Sequence, residues 1–188
     1  GSRMGGVDKG LQNHGGLPLA LHALLRLQPQ VGATLVNANR NLAAYESFGV
    51  PVWPDALADY PGPLAGFLTG LQRCQTPFLL TVPCDTPFLP PNLVATLAEA
   101  LYASAAPAVW ARTAEGDHPV VALLKPMLAM GLNAERLQQP ESRGVLQWLR
   151  ASGGVAVQFD DAPAFRNLND PAALSLAAQH PLHTPAHD

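Results

Sequence analysis

Cysteine is scarce: Cys74 and Cys84 are the only two in 188 residues, too few to staple a domain of this size and without metal-ligand spacing. Such usage fits a reduced cytosolic protein with both thiols in or near the core. Lysine is equally rare, with Lys9 and Lys125 making up two of the 11 basic residues. The net charge of −3 leaves no basic excess to track a phosphate backbone, so a nucleic-acid partner is not expected. No apolar run reaches the roughly 18 residues of a membrane span, and the N-terminus lacks a signal-peptide pattern. A soluble, cytoplasmic chain with no membrane partner is the expectation. Also missing are a nucleophile elbow, a helical histidine pair and a dinucleotide glycine fingerprint.

What the chain does have is 48% hydrophobic and 13% charged residues, the composition of a compact globular protein. The length suits one domain over 1–188, with a loose Pro- and His-rich tail at 180–188. Helices are expected at 17–28, 39–48, 63–75, 90–103, 128–137, 144–151 and 171–179, the last capped by Asn169 or Asp170. Strands are expected at 32–38, 50–53, 78–82, 108–111, 120–124 and 155–159. The continuous apolar run Phe78 to Val82 reads as a central parallel strand. This alternation predicts βαβ crossovers and a three-layer α/β fold, its mostly parallel sheet covered by helices on both faces.

The chain opens in a Gly-rich loop, Gly1-Ser2-Arg3-Met4-Gly5-Gly6, which in a parallel α/β fold normally follows the first strand. Either that strand and the start of the loop are missing, or Gly1-Ser2 is a remnant of cloning. From Arg3 to Gly10, glycines allow close backbone approach to a phosphate and Lys9 offers a point charge. The same composition also makes a surface turn with a solvated lysine. In Thr81-Val82-Pro83-Cys84-Asp85-Thr86-Pro87, Asp85 should emerge at the carboxyl end of a buried strand, where α/β sheets place ligands. Flanking prolines hold that turn extended. One fixed carboxylate beside a phosphate loop suits Mg²⁺, and an Asx-turn or helix cap is the competing role.

Asp55, also past a strand, offers a carboxylate to a base or ribose, and Asn37 ends the strand before it. Gly62 and Gly66 flank a helix start whose amides suit an anion. Asn167 and Asn169 share a face if their segment is extended. Each also has a plain structural use as a turn or cap residue.

Five segments in order resemble the molybdenum cofactor guanylyltransferase family over nearly the whole chain. They are Arg3 to Gly10, Val36 to Arg40, Asp59 to Gly66, Pro83 to Pro87 and Asn167 to Asn169. The resemblance implies a nucleotidyltransferase of Rossmann-like fold that moves GMP from Mg-GTP to the terminal phosphate of molybdenum-molybdopterin and releases pyrophosphate. It assigns Lys9 and Asp85 to catalysis, Lys9, Asn37, Asp55 and Asp85 to GTP, and Asp85 to Mg²⁺. Arg3, Gly62, Gly66, Asn167 and Asn169 fall to the phosphate or pterin side. Further implied partners are molybdenum-insertion proteins and molybdoenzyme chaperones, with the chain itself a monomer. The family's Leu-Ala-Gly-Gly stretch at the end of the first strand is absent. Rival readings are a cytidylyltransferase for the same pterin, a sugar-1-phosphate nucleotidyltransferase, or a non-catalytic nucleotide or pterin carrier.

Overall fold

The computed structural model describes residues 8–57, 62–132 and 144–168. After a short 3-10 turn at Lys9–Leu11, the chain makes a small hairpin of β1 (Asn13–His14) and β2 (Leu17–Pro18). Gly15 and Gly16 join them with φ of 57° and 90°, the positive values a tight two-residue turn requires. Helix α1 is therefore Leu19–Leu27, starting two residues later than periodicity suggests, with Pro18 outside its first turn.

Two strand groups follow. β3 (Val36–Asn37) and β4 (Val52–Trp53) pair in parallel, and the short helix α2 (Leu42–Glu46) connects them. The larger sheet contains β5 (Leu79–Thr81), β6 (Ala108–Thr113), β7 (Gly116–Leu124) and β8 (Val155–Gln158), in the order β5-β7-β6-β8. β7 runs antiparallel to β5 and β6, and β8 runs parallel to β6, so β5, β6 and β8 share a direction. The strands expected at 108–111 and 120–124 thus extend toward each other into one hairpin turning at Gly116 (φ 133°). β5 ends the order among the described strands, with its three residues half-buried, which corrects its reading as a central strand.

Side chains alternate across the sheet, and that period of two builds two cores. Ala108, Trp110, Ala122 and Leu124 face α3 (Pro63–Arg73) and α5 (Val145–Ala151), meeting Leu64, Phe67, Leu68, Trp148 and Leu149. Val109, Ala111, Val121, Leu123 and Val157 face the other way, onto Leu93, Leu97 and Leu101 of α4 (Leu93–Ser104) and Leu27 of α1. Helix, sheet, helix: the three layers are as expected. The buried indole of Trp110 keeps its polar end satisfied by donating to Asp117 Oδ1 at 2.7 Å.

The helix expected at 128–137 is instead a 3-10 segment, Pro126–Gly131, and its later residues fall outside the described ones. The helix at 171–179, its proposed cap and the tail at 180–188 also lie outside them. Among the described residues no helix is long and apolar enough to cross a membrane.

Candidate active site

Lys9 and Asp85 come from segments far apart in sequence, and the fold brings them together. Lys9 opens the first 3-10 turn, and its neighbour Gly10 is buried against Cys84. A Cβ at Gly10 would stand 3.1 Å from Cys84 Sγ and 2.5 Å from the Tyr45 hydroxyl, so only glycine lets the two loops touch. Asp85 emerges four residues past β5, at the carboxyl end where ligands collect. It is 8% exposed, and the described residues offer its carboxylate no side-chain hydrogen bond.

Burial raises the Asp85 pKa, against the opposing pull of its own backbone N–H and of the Lys9 ammonium. A confined carboxylate with one nearby cation is a suitable donor for a hard metal ion. Among the described residues no group of three or more His, Cys, Asp or Glu is placed to hold a metal ion. Cys84 is not a core thiol as expected. It follows the strand's apolar run and sits at the surface of this loop. Its thiol is still crowded, and burial followed by the fields of Asp85 and Asp8 pushes its pKa up to about 11. It is thus a protonated neighbour at neutral pH rather than a nucleophile.

The second cluster is built on Asp55. Its Oδ1 accepts from Asn37 Nδ2 at 2.9 Å and its Oδ2 from Asn39 Nδ2 at 2.6 Å. Asn39 Oδ1 in turn accepts from the Asp55 backbone N–H at 2.7 Å, closing a ring. Asn37 also donates to the Trp53 carbonyl at 2.9 Å, within the β3–β4 pair. Its Oδ1 lies against Gly66 of α3, in space that any side chain there would fill. Gly66 thus joins the Asn37–Asp55 pair by position, and Gly62 is the residue preceding the helix. Asn39 was legible as a motif residue but not as part of the site. Thr69 was not foreseen either: it accepts from Ala56 N–H at 2.8 Å and so fixes the turn after Asp55.

Residues 37–41 bridge the two clusters. Beyond Asn39, Asn41 donates to Asp8 Oδ2 at 2.9 Å and Arg40 approaches the same oxygen at 3.6 Å. Tyr45 of α2 donates to Asp8 Oδ1 at 2.7 Å; burial and then this bond raise the tyrosine pKa. One short segment therefore holds the Asp55 ring on one side and the Lys9 loop on the other.

A third element reaches Asp85 from the C-terminal side. Thr86 donates to Asn167 Oδ1 at 2.8 Å, and Leu168 N–H donates to the Asp85 carbonyl at 2.9 Å. His118 bonds Thr113 at 2.9 Å and stacks on Phe165, with ring centroids 5.1 Å apart. Burial lowers its pKa, against the opposing fields of Glu115 and Asp117. Arg3 and Asn169 lie outside the described residues.

The family profile of the MobA-like NTP transferase domain matches residues 1–155. The chain is 56% identical over 188 residues to a molybdenum cofactor guanylyltransferase of Acidovorax sp. (strain JS42), covering 93% of this chain and 88% of the relative. Among solved structures, molybdopterin-guanine dinucleotide biosynthesis protein A from Archaeoglobus fulgidus superposes with a TM-score of 0.74 at 20% identity, over 93% of this chain and 90% of that one. The 2-C-methyl-D-erythritol 4-phosphate cytidylyltransferase of Thermus thermophilus gives 0.67 at 18% identity, over 91% and 92% of the two chains.

Proposed function

Since the chain belongs to the MobA-like NTP transferase family, we propose that it transfers GMP from GTP to the terminal phosphate of molybdenum-molybdopterin and releases pyrophosphate. The observation that carries this reading is the joining of a lysine–aspartate pair to a rigid carboxylate–amide ring through residues 37–41. Relatives of such identity and coverage do not favour the cytidylyltransferase, sugar-1-phosphate or carrier readings.

In the reaction a terminal phosphate oxygen of the pterin attacks the α-phosphorus of GTP. The bond from that phosphorus to the bridging oxygen breaks, and pyrophosphate leaves in line. No covalent enzyme intermediate is needed, and protonated Cys84 offers none. The work left to the protein is positioning and charge neutralisation. Enzymes of this family use a divalent metal; we assign it as Mg²⁺, which Asp85 would hold and which would supply charge neutralisation at the substrate phosphates. Lys9 neutralises the GTP phosphates. Asn37 and Asp55 hold the guanosine, with Asn39 locking Asp55. Gly62 and Asn167 border the phosphate and pterin side, and Arg3 and Asn169 are assigned there from sequence.

The test is a nucleotide panel. Purified protein with molybdenum-molybdopterin and Mg²⁺ should release pyrophosphate with GTP and form the guanine dinucleotide. Release with CTP instead, or nucleotide binding with no pyrophosphate under any condition, would refute the assignment. A second expectation concerns α3. Gly66→Ala places a methyl group on Asn37 Oδ1 and should turn the amide off Asp55. KM for GTP should rise by about tenfold, the scale of one lost hydrogen bond to a charged group, while the melting temperature stays near wild type. An unchanged KM would detach Asn37 from the nucleotide.

A further inference from the structure

Among the described residues no side chain bonds the carboxylate of Asp85, so within them its position depends on what fixes its backbone. Two bonds do so, and both come from the same short segment. Leu168 N–H donates to the Asp85 carbonyl at 2.9 Å, and the hydroxyl of the next residue, Thr86, donates to Asn167 Oδ1 at 2.8 Å. Thr86 is 0% exposed and Leu168 3%, so the buried donor of each bond finds no ready partner in water, although Asn167 itself is exposed.

The segment itself is anchored from behind. Phe165 stacks on His118 and sits 5.0 Å, centroid to centroid, from Phe159. Arg166 pairs through two nitrogens with Glu115 in the β6–β7 turn. The hairpin of the main sheet is thus connected through residues 165–168 to the Asp85 turn.

We infer that Thr86 and Asn167 are positioning residues: their bond, with the Leu168 amide, sets the place of the Asp85 carboxylate and so the affinity of the site for its metal. This rests on the metal-binding reading of Asp85. It also gives Asn167 a double use, since with Oδ1 taken by Thr86 its NH₂ group is left for a ligand on the phosphate side. A threonine is needed because valine has the same shape but offers no hydroxyl to Asn167 Oδ1.

The experiment titrates Mn²⁺ into the full chain with a non-hydrolysable GTP analogue and no pterin, following bound metal by electron paramagnetic resonance. Thr86→Val should weaken Mn²⁺ binding about tenfold and speed amide exchange at Leu168, whereas Thr86→Ser should stay within about twofold of wild type. Asn167→Ala should lose at least as much as Thr86→Val, and the double variant should be no worse than Asn167→Ala alone. Wild-type Mn²⁺ affinity in Thr86→Val, even with a lowered melting temperature, would overturn the inference, as would additive losses in the double variant. Asp85→Asn is the control. If it too binds Mn²⁺ normally, the metal reading fails and the inference with it; if it alone loses the metal, only the positioning role fails.

Discussion

Asp85→Ala is expected to retain the fold and lose metal-dependent turnover by roughly two to three orders of magnitude, the scale seen when one preorganised electrostatic partner is removed. The fold should survive because this residue sits past the end of β5, in a loop fixed by Leu168 and Thr86, and adds nothing to either core. Initial rates against Mg²⁺ concentration, with circular dichroism as the folding check, give the measurement. Near-normal turnover would remove Asp85 from the metal role.

The pH dependence has a definite sign. Burial raises the pKa of this carboxylate in the folded protein. Lowering the pH through that raised value protonates the group the cation needs, so the Mg²⁺ requirement should climb on the acid side. For stability without metal the same shift works the other way. A raised folded pKa means the contribution is favourable at low pH and is lost as pH rises through it. Asp85→Asn, which cannot ionise, should therefore melt no lower than wild type at neutral pH in the presence of a chelator. A clear drop in its melting temperature would contradict the burial argument.

Asp55→Ala should have a comparable effect on a different quantity. Its carboxylate accepts from both Asn37 and Asn39, and its backbone donates back to Asn39. Removing it leaves Asn37 only the Trp53 carbonyl and Asn39 only the backbone N–H of position 55, and a site that reads a base through fixed donors and acceptors then stops rejecting the wrong one. We expect kcat/KM for GTP to fall about a hundredfold or more, with the preference for GTP over ATP and CTP collapsing. Asn37→Ala should do likewise, with a smaller loss because Asn39 still holds Asp55. Retained preference in both variants would place base recognition elsewhere. Turnover at saturating GTP should suffer less than in Asp85→Ala, since the carboxylate–amide ring lies away from the Lys9–Asp85 pair.

How much of this was legible in the sequence depended on the kind of signal. Apolar periodicity located the long helices and the sheet, since burying one face is a property of spacing alone. It misplaced β5, because an apolar run records burial and says nothing of pairing neighbours. It also missed the first hairpin, although His14-Gly15-Gly16-Leu17 carries the two-glycine turn signature. Candidate site residues can be read from sequence where a strand end meets a constrained turn, as at Asn37, Asp55 and Asp85. Asn39, Thr69 and Thr86 cannot be so read. They act through bonds to partners 16, 13 and 81 positions away, and nothing local encodes that pairing.

α3 is the brace between the two strand groups. Its Gly66 lies against Asn37 at the end of β3, and a side chain at Gly70, one turn on, would meet Leu79 of β5. The two points of contact are roughly 6 Å apart along the helix axis. A single rigid rod thus gauges the interval between the Asn37–Asp55 group, proposed to read the base, and the strand that leads to Asp85, proposed to hold the cation. A larger residue at position 70 should push β5 outward while leaving every ligand-binding group intact, slowing the enzyme by misaligning two sound halves.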